Sequence, residues 1–127
     1  AFKAGTQTAN ITYTLPTSLP TESGKPLVTA TDGTLSWGTS TINAQNINVD
    51  CPNLNANGGS ANVDITVTGA VVGGTVTISP RADLEDGLII AYSRVTAANT
   101  VRVRFVNATA AALNPAAVNI DITVIQP

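Results

Sequence analysis

The chain has 127 residues, with six Lys and Arg against eight Asp and Glu, a net charge of −2, one Cys and no His. Hydrophobic residues make up 43%, aromatics 4% and charged residues 11%, so the apolar content rests on Ala, Val, Ile and Leu and the polar content on Thr and Asn. That balance excludes a disordered chain, which carries more charge and fewer β-branched residues, and it excludes nucleic-acid binding through clustered cations.

Helical periodicity is nearly absent, and Thr, Val and Ile favour pleated sheet. Three short extended runs come first: Ile11 to Pro16, Gly24 to Val28, and Asp32-Gly33-Thr34-Leu35-Ser36-Trp37-Gly38. Each is closed by a breaker and is too short to bury its own apolar side chains, so ordering by copies of itself or by a neighbouring domain is expected. Ile42, Ile47, Val49 and Leu54 supply one or two irregular strands in the Asn-rich stretch Thr39 to Asn57. Ala61 to Thr68 alternates, with Val63, Ile65 and Val67 inward and Asp64, Thr66 and Thr68 outward. Gly69 to Gly74 reads as a hairpin turn with a bulge, and Gly74 to Ser79 repeats the alternation until Pro80. Leu88 to Val95 is almost continuously apolar and predicts a central strand buried on both faces. Thr100 to Val106 sets Val101, Val103 and Phe105 against Arg102 and Arg104. Thr109 to Leu113 is the best helix candidate, one turn at most before Pro115. Val118, Ile120, Ile122 and Val124 share one face of the last strand.

Short strands with turn signals at Asn57-Gly58-Gly59, Gly73-Gly74, Asp86-Gly87, Ala98-Asn99 and Asn114-Pro115 predict an all-β protein. The architecture expected is an antiparallel β-sandwich, jelly-roll or Ig-like, with a short extended N-terminal arm. The division falls near residue 40: an arm over 1–40 and a sandwich over 41–127.

Two stretches carry a family resemblance. The pattern T-x-x-L-P … G-x-x-L … D-G-T-L-S-W, within Asn10 to Thr39, resembles a recurrent segment of bacteriophage fibre proteins, which are typically homotrimers. In the body, Ile65 to Ala70, Val76 to Pro80, Leu84 to Leu88, Ala97 to Arg104, Asn107 to Thr109, Asn114 to Ala116 and Val124-Ile125 resemble a module near the C-termini of phage structural proteins of the head-fibre, decoration or tail-fibre type. Asn114-Pro115-Ala116-Ala117 departs from it, standing where a Gly-aromatic turn is common before the last strand. These motifs are turn and core signatures, specific for fold more than for function.

Catalytic constellations are missing from the sequence. Without His, the usual general base, zinc ligand and Ser-His or Cys-His pair are gone. Cys51, alone, has no intrachain disulfide partner and reads as a small buried apolar residue. Gly69 to Gly74 has no following Lys-Ser/Thr and is not a phosphate loop. Asp83, Glu85 and Asp86 are a solvated turn or a Ca²⁺ site, though their spacing matches no calcium loop. A Lys–Asn isopeptide bond needs a buried Lys, and Lys3 and Lys25 both fall in arm or loop positions. No cofactor is expected.

No segment reaches the about 18–20 continuous apolar residues of a membrane helix, and no secretory signal is evident. Synthesis in a host cytoplasm is therefore expected, and the sequons at Asn10 and Asn107 read as chance. Arg102 and Arg104 either pair with acidic groups of a partner subunit or capsid, or form a charged face that discourages edge pairing. Trp37, the single Trp, either anchors the arm between subunits or caps the chain's own sandwich. The oligomer and capsid contacts expected are Tyr13, Leu15, Leu35, Trp37, Arg102 and Arg104. Together with the resemblance, these readings point to a non-enzymatic virion component: a homotrimeric decoration or cement protein on the outer capsid surface, contacting the major capsid protein and no nucleic acid or membrane. The alternative is a tail-fibre or receptor-binding tip.

Overall fold

The computed structural model describes residues 12–20 and 25–127; Phe2, Lys3, Asn10, Ile11 and Gly24 lie outside these. Among the described residues no helix forms and eight strands do: β1 (Leu27–Thr29), β2 (Leu35–Trp37), β3 (Thr41–Val49), β4 (Ser60–Thr66), β5 (Thr75–Pro80), β6 (Leu88–Ala97), β7 (Thr100–Asn107) and β8 (Val118–Ile125). Two compact units divide the chain, Ala1–Ser40 and Thr41–Pro127.

In the first unit β1 and β2 form a three-pair antiparallel hairpin, Leu27 opposite Trp37 and Thr29 opposite Leu35. Its turn is held by Asp32, whose carboxylate accepts the Thr34 N–H at 2.9 Å. That bond holds the Asp32 carboxyl below its ordinary pKa. Gly33 sits at φ 84 with the Thr12 carbonyl 2.5 Å from where a Cβ would be, so both conformation and space demand glycine there. The segment 12–20 is tied to the hairpin by Thr14 N–H to the Gly33 carbonyl (3.2 Å), Leu35 N–H to the Thr14 carbonyl (2.9 Å), and the Trp37 indole N–H to the Ser18 carbonyl (2.9 Å).

The second unit is an antiparallel β-sandwich of two three-stranded sheets, β3-β8-β5 and β4-β7-β6. The central strands are β8 and β7, and both alternate strictly. Val101, Val103 and Phe105 of β7 and Ile120, Ile122 and Val124 of β8 are all at most 1% exposed and form the middle of one core. Burying each such side chain contributes about 1.5–3 kcal/mol. Only β6 and β7 are both consecutive in sequence and neighbours in one sheet; every other link in this unit crosses between sheets.

Two strands change parity through bulges. In β3 the register shifts between Ala44 and Ile47, and Asn46 takes φ 56. The extra residue lets Ile42 and Ala44 before it, and Ile47 and Val49 after it, all pack on the core. The bulge N–H of Asn46 is received by the Asp121 carboxylate at 2.8 Å. In β6 the register shifts between Ile90 and Tyr92, so Leu88 and Ile90 point inward, then Ser93 and Val95, while Ile89, Tyr92 and Arg94 point outward.

Three expectations are corrected. Leu88 to Val95 is an edge strand, with Ile89 49% and Tyr92 42% exposed; its apolar run combines an inward set with an outward one across the bulge. Gly69 to Gly74 does not close a hairpin, because β4 and β5 belong to different sheets. Thr109 to Leu113 forms no helical turn: Leu113 instead makes a two-bond bridge with Leu54, at 2.8 and 2.9 Å.

Polar side chains close both ends of the sandwich. At one end Asn107, fully buried, donates to the Asn55 and Ala111 carbonyls (3.0 and 2.8 Å) and accepts from the Thr109 N–H and hydroxyl (both 2.8 Å). At the other, buried Gln126 donates to the Gly69 carbonyl at 2.5 Å and accepts from the Val71 N–H at 3.2 Å. Asn99, at φ 61 in the β6–β7 turn, accepts the Gly69 N–H at 2.6 Å. Asn107→Ala removes a fully buried side chain and leaves the Asn55 carbonyl and the Thr109 N–H without it, while the Ala111 carbonyl keeps the Thr109 hydroxyl; a group left without its partner costs about 1–3 kcal/mol. Urea unfolding is expected to show a loss of about 3 kcal/mol for Asn107→Ala against less than about 0.5 for the exposed Asn62→Ala. Equal effects would mean that Asn107 does not hold this end.

Candidate functional site

The surface offers three features to a partner. The first is the N-terminal unit. Tyr13, Leu15 and Leu19 are 54%, 68% and 86% exposed, and Leu27 and Val28 of β1 are exposed too. Leu35 and Trp37 are half-buried within the same unit, with the indole N–H already committed to Ser18. Of the sequence-predicted contacts, Tyr13 and Leu15 thus present themselves fully and Leu35 and Trp37 in part. A hairpin of three residues per strand has little core of its own, so apolar side chains accumulate on its outside.

The second is the outer face of the β4-β7-β6 sheet. Strand alternation turns Arg102 and Arg104 outward together, because Val101, Val103 and Phe105 occupy the core positions. Arg102 lies opposite Asp64 and grips it with two bonds, Nε to Oδ1 and Nη2 to Oδ2, each 2.7 Å. The bidentate hydrogen bond holds the Asp64 carboxyl below its ordinary pKa and raises that of Arg102. Arg104 donates to Ser60 Oγ at 2.7 Å and reaches Asn62 Oδ1 at 3.5 Å. Across the other ladder, Tyr92 faces Arg104 and Arg94 faces Arg102. The sequence does not place Tyr92 and Arg94 on this face, because the almost continuous apolar run Leu88 to Val95 reads as buried on both faces and carries no mark of the bulge between Ile90 and Tyr92.

The third is an open groove of about 590 Å³ between the β5–β6 loop and the segment leading into β8, lined among others by Asn48, Arg81, Asp83, Glu85 and Asn119. Asn48 and Asn119 bond each other at 2.9 Å, and Arg81 Nε bonds Asp121 at 2.8 Å. Glu85 accepts the Ala116 N–H at 3.1 Å. Among the described residues no three His, Cys, Asp or Glu side chains converge as a metal site. Cys51 is buried, its thiol pKa raised by burial and then by the Asp50 charge, which disfavours the reactive thiolate. No helix among the described residues is long and apolar enough to cross a membrane.

The chain matches no family model, and neither the curated proteins nor the solved structures yield a match.

The carboxylates of Asp64 and Asp121 both titrate below their ordinary value, Asp64 through Arg102 and Asp121 through Arg81 and then the Asn46 N–H. The unfolded chain binds protons first, at about pH 4, so the stabilisation is present above that pH and is lost as pH falls through the lower folded values. Side-chain carboxyl NMR should place Asp64 below the normal aspartate range, and Arg102→Ala should return it upward. An Asp64 titration unchanged in the variant would remove the pair from the account.

Proposed function

We propose that this chain is a phage capsid decoration (cement) protein that assembles as a homotrimer, binds the outer capsid surface and stabilises the head. The observation that carries the reading is the run of exposed apolar side chains, Tyr13, Leu15, Leu19, Leu27 and Val28, on a unit in which no described large apolar side chain is fully buried. Such a unit is built to be covered. The likeness of Asn10 to Thr39 to trimeric fibre segments supports sibling chains and coat protein as the cover.

The mechanism is mechanical. A stable protein contact buries about 1,200–2,000 Å², and a subunit bridging several coat proteins repeats such contacts across the lattice. Each adds to the free energy that opening the shell against packaged DNA must overcome. The sandwich serves as a rigid platform, with two of its arginines engaged in the pairs Arg102–Asp64 and Arg81–Asp121. No catalytic step is assigned to it. A second reading, a tail-fibre or receptor-binding tip, is favoured by the exposed Tyr92 beside Arg104, an arrangement able to stack on a sugar ring.

Particles lacking the protein should assemble and package DNA, yet release it at lower temperature or milder osmotic shock, with host adsorption unchanged. A collapse in adsorption with unaltered heat resistance would replace the decoration reading by the receptor-binding one. Within the trimer, Trp37→Ala should weaken assembly by about 2–4 kcal/mol while the urea midpoint of the sandwich stays in place. Unaltered trimer dissociation would limit Trp37 to closing its own unit.

A further inference from the structure

The outer face of the β4-β7-β6 sheet is charged out of proportion to the chain. The protein has six Lys and Arg and a net charge of −2, yet Arg94, Arg102 and Arg104 all lie on this one face. Asp64 is its single acid among the described residues, and both carboxylate oxygens of Asp64 are taken by Arg102. Arg94 stands directly opposite Arg102 in the ladder, is exposed, and makes no hydrogen bond or ion pair within the described residues. Like charges directly opposite one another destabilise a sheet. Within the isolated chain Arg94 meets no opposite charge among the described residues, and an acidic partner would supply one. Beside the arginines, Tyr92 and Ile89 expose 42% and 49% of their surface, giving the face apolar area as well as charge.

The same chain carries the complement. In the β5–β6 loop Asp83, Glu85 and Asp86 are all exposed, and the nearby Arg81 is already paired with Asp121. A chain that is basic on one sheet face and acidic on one loop can join copies of itself head to tail, and such a contact makes a ring when its rotation closes.

We infer that the face bearing Arg94, Arg102 and Tyr92 docks the acidic Asp83–Asp86 loop of a second copy of this chain. The contact is heterologous: each copy gives its loop to one neighbour and its arginine face to the other. Arg94 is the residue whose charge is answered only in the assembly. This inference rests on the self-assembly part of the reading above and supplies the sandwich's share of the trimer contact.

The test is light scattering on the full chain, with thermal melting followed in parallel. Wild type should show about three times the chain mass at about 0.1 M salt and lose mass towards 1 M, where the screening length falls from about 10 Å to 3 Å. Arg94→Glu should shift the protein to monomer at a concentration where wild type is assembled. Compared with wild type diluted until it too is monomeric, so that the stabilisation by assembly is absent from both, the variant should melt no lower, because the introduced carboxylate would face Arg102 within the chain. Asp86→Arg should also dissociate the assembly, and the double variant Arg94→Glu/Asp86→Arg should restore it. A trimer that survives Arg94→Glu with unchanged salt dependence would overturn this contact and leave assembly to the N-terminal unit. Failure of the double variant to reassemble would overturn the loop as occupant. A monomeric wild type would overturn both this contact and the trimer, while the stabilisation of capsids is decided separately by the particle comparison.

Discussion

Everything on the surface of the sandwich follows from the burial of alternate residues on its two central strands. Val101, Val103 and Phe105 on β7 meet Ile120, Ile122 and Val124 on β8 in one core. A strand has a side-chain period of 2, so fixing these six inward fixes every neighbour outward. Arg102 and Arg104 cannot leave the outer face without dragging three apolar residues out of the core. The bidentate bond to Asp64 and the contacts of Arg104 with Ser60 and Asn62 then set the arginine side chains across the ladder. Core packing thus positions a charged surface to which it makes no direct contact.

That constraint explains what was legible in the sequence. The all-β class, the alternation of β4, β7 and β8 and the outward pair Arg102 and Arg104 can all be read from period 2 alone. Parity changes cannot be read this way. In β3 the apolar residues sit at even positions up to Ala44 and odd positions from Ile47, which looks like two irregular pieces; one strand with Asn46 in the left-handed region accounts for both. The acceptor for the freed N–H is Asp121, 75 residues away in sequence, and local pattern holds no trace of it. The run Leu88 to Tyr92 has the opposite difficulty. Its continuity suggests burial on both sides, but an edge strand with a bulge exposes Ile89 and Tyr92, and that bulge is what adds Tyr92 and Arg94 to the arginine face.

The ends of the sandwich show a second kind of illegibility. In a chain rich in Asn nothing marks Asn107 or Asn99 in sequence. Their importance comes from chain crossings: β3 to β4, β4 to β5, β5 to β6 and β7 to β8 all pass from one sheet to the other. Each crossing leaves backbone groups without ladder partners, and the buried amides of Asn107 and Gln126 find their own partners among them. Asn107 serves the carbonyls of Asn55 and Ala111 at one end, while Gln126 and Asn99 serve Gly69 and Val71 at the other. Amide side chains suit this work because each both donates and accepts without carrying a charge into the interior.

Sparse charge sharpens the meaning of each ionised group. On a heavily charged surface an unpaired arginine is unremarked, since many neighbours average its field. Here the described acids are the hairpin-turn Asp32, Asp50, two partners already engaged by arginine, and the triplet beside Gly87. Arg94 faces Arg102, and Asp64 has no oxygen left to offer it. Exposed ion pairs contribute little to folding, so these charges are weak determinants of the fold. They are strong determinants of which surfaces can approach one another, because juxtaposed like charges reject a wrong partner and opposite ones fix register. The division of labour is therefore chemical. Uncharged β-branched residues and amides make the sandwich, while a few ionised side chains, placed by strand parity, govern how it meets its neighbours.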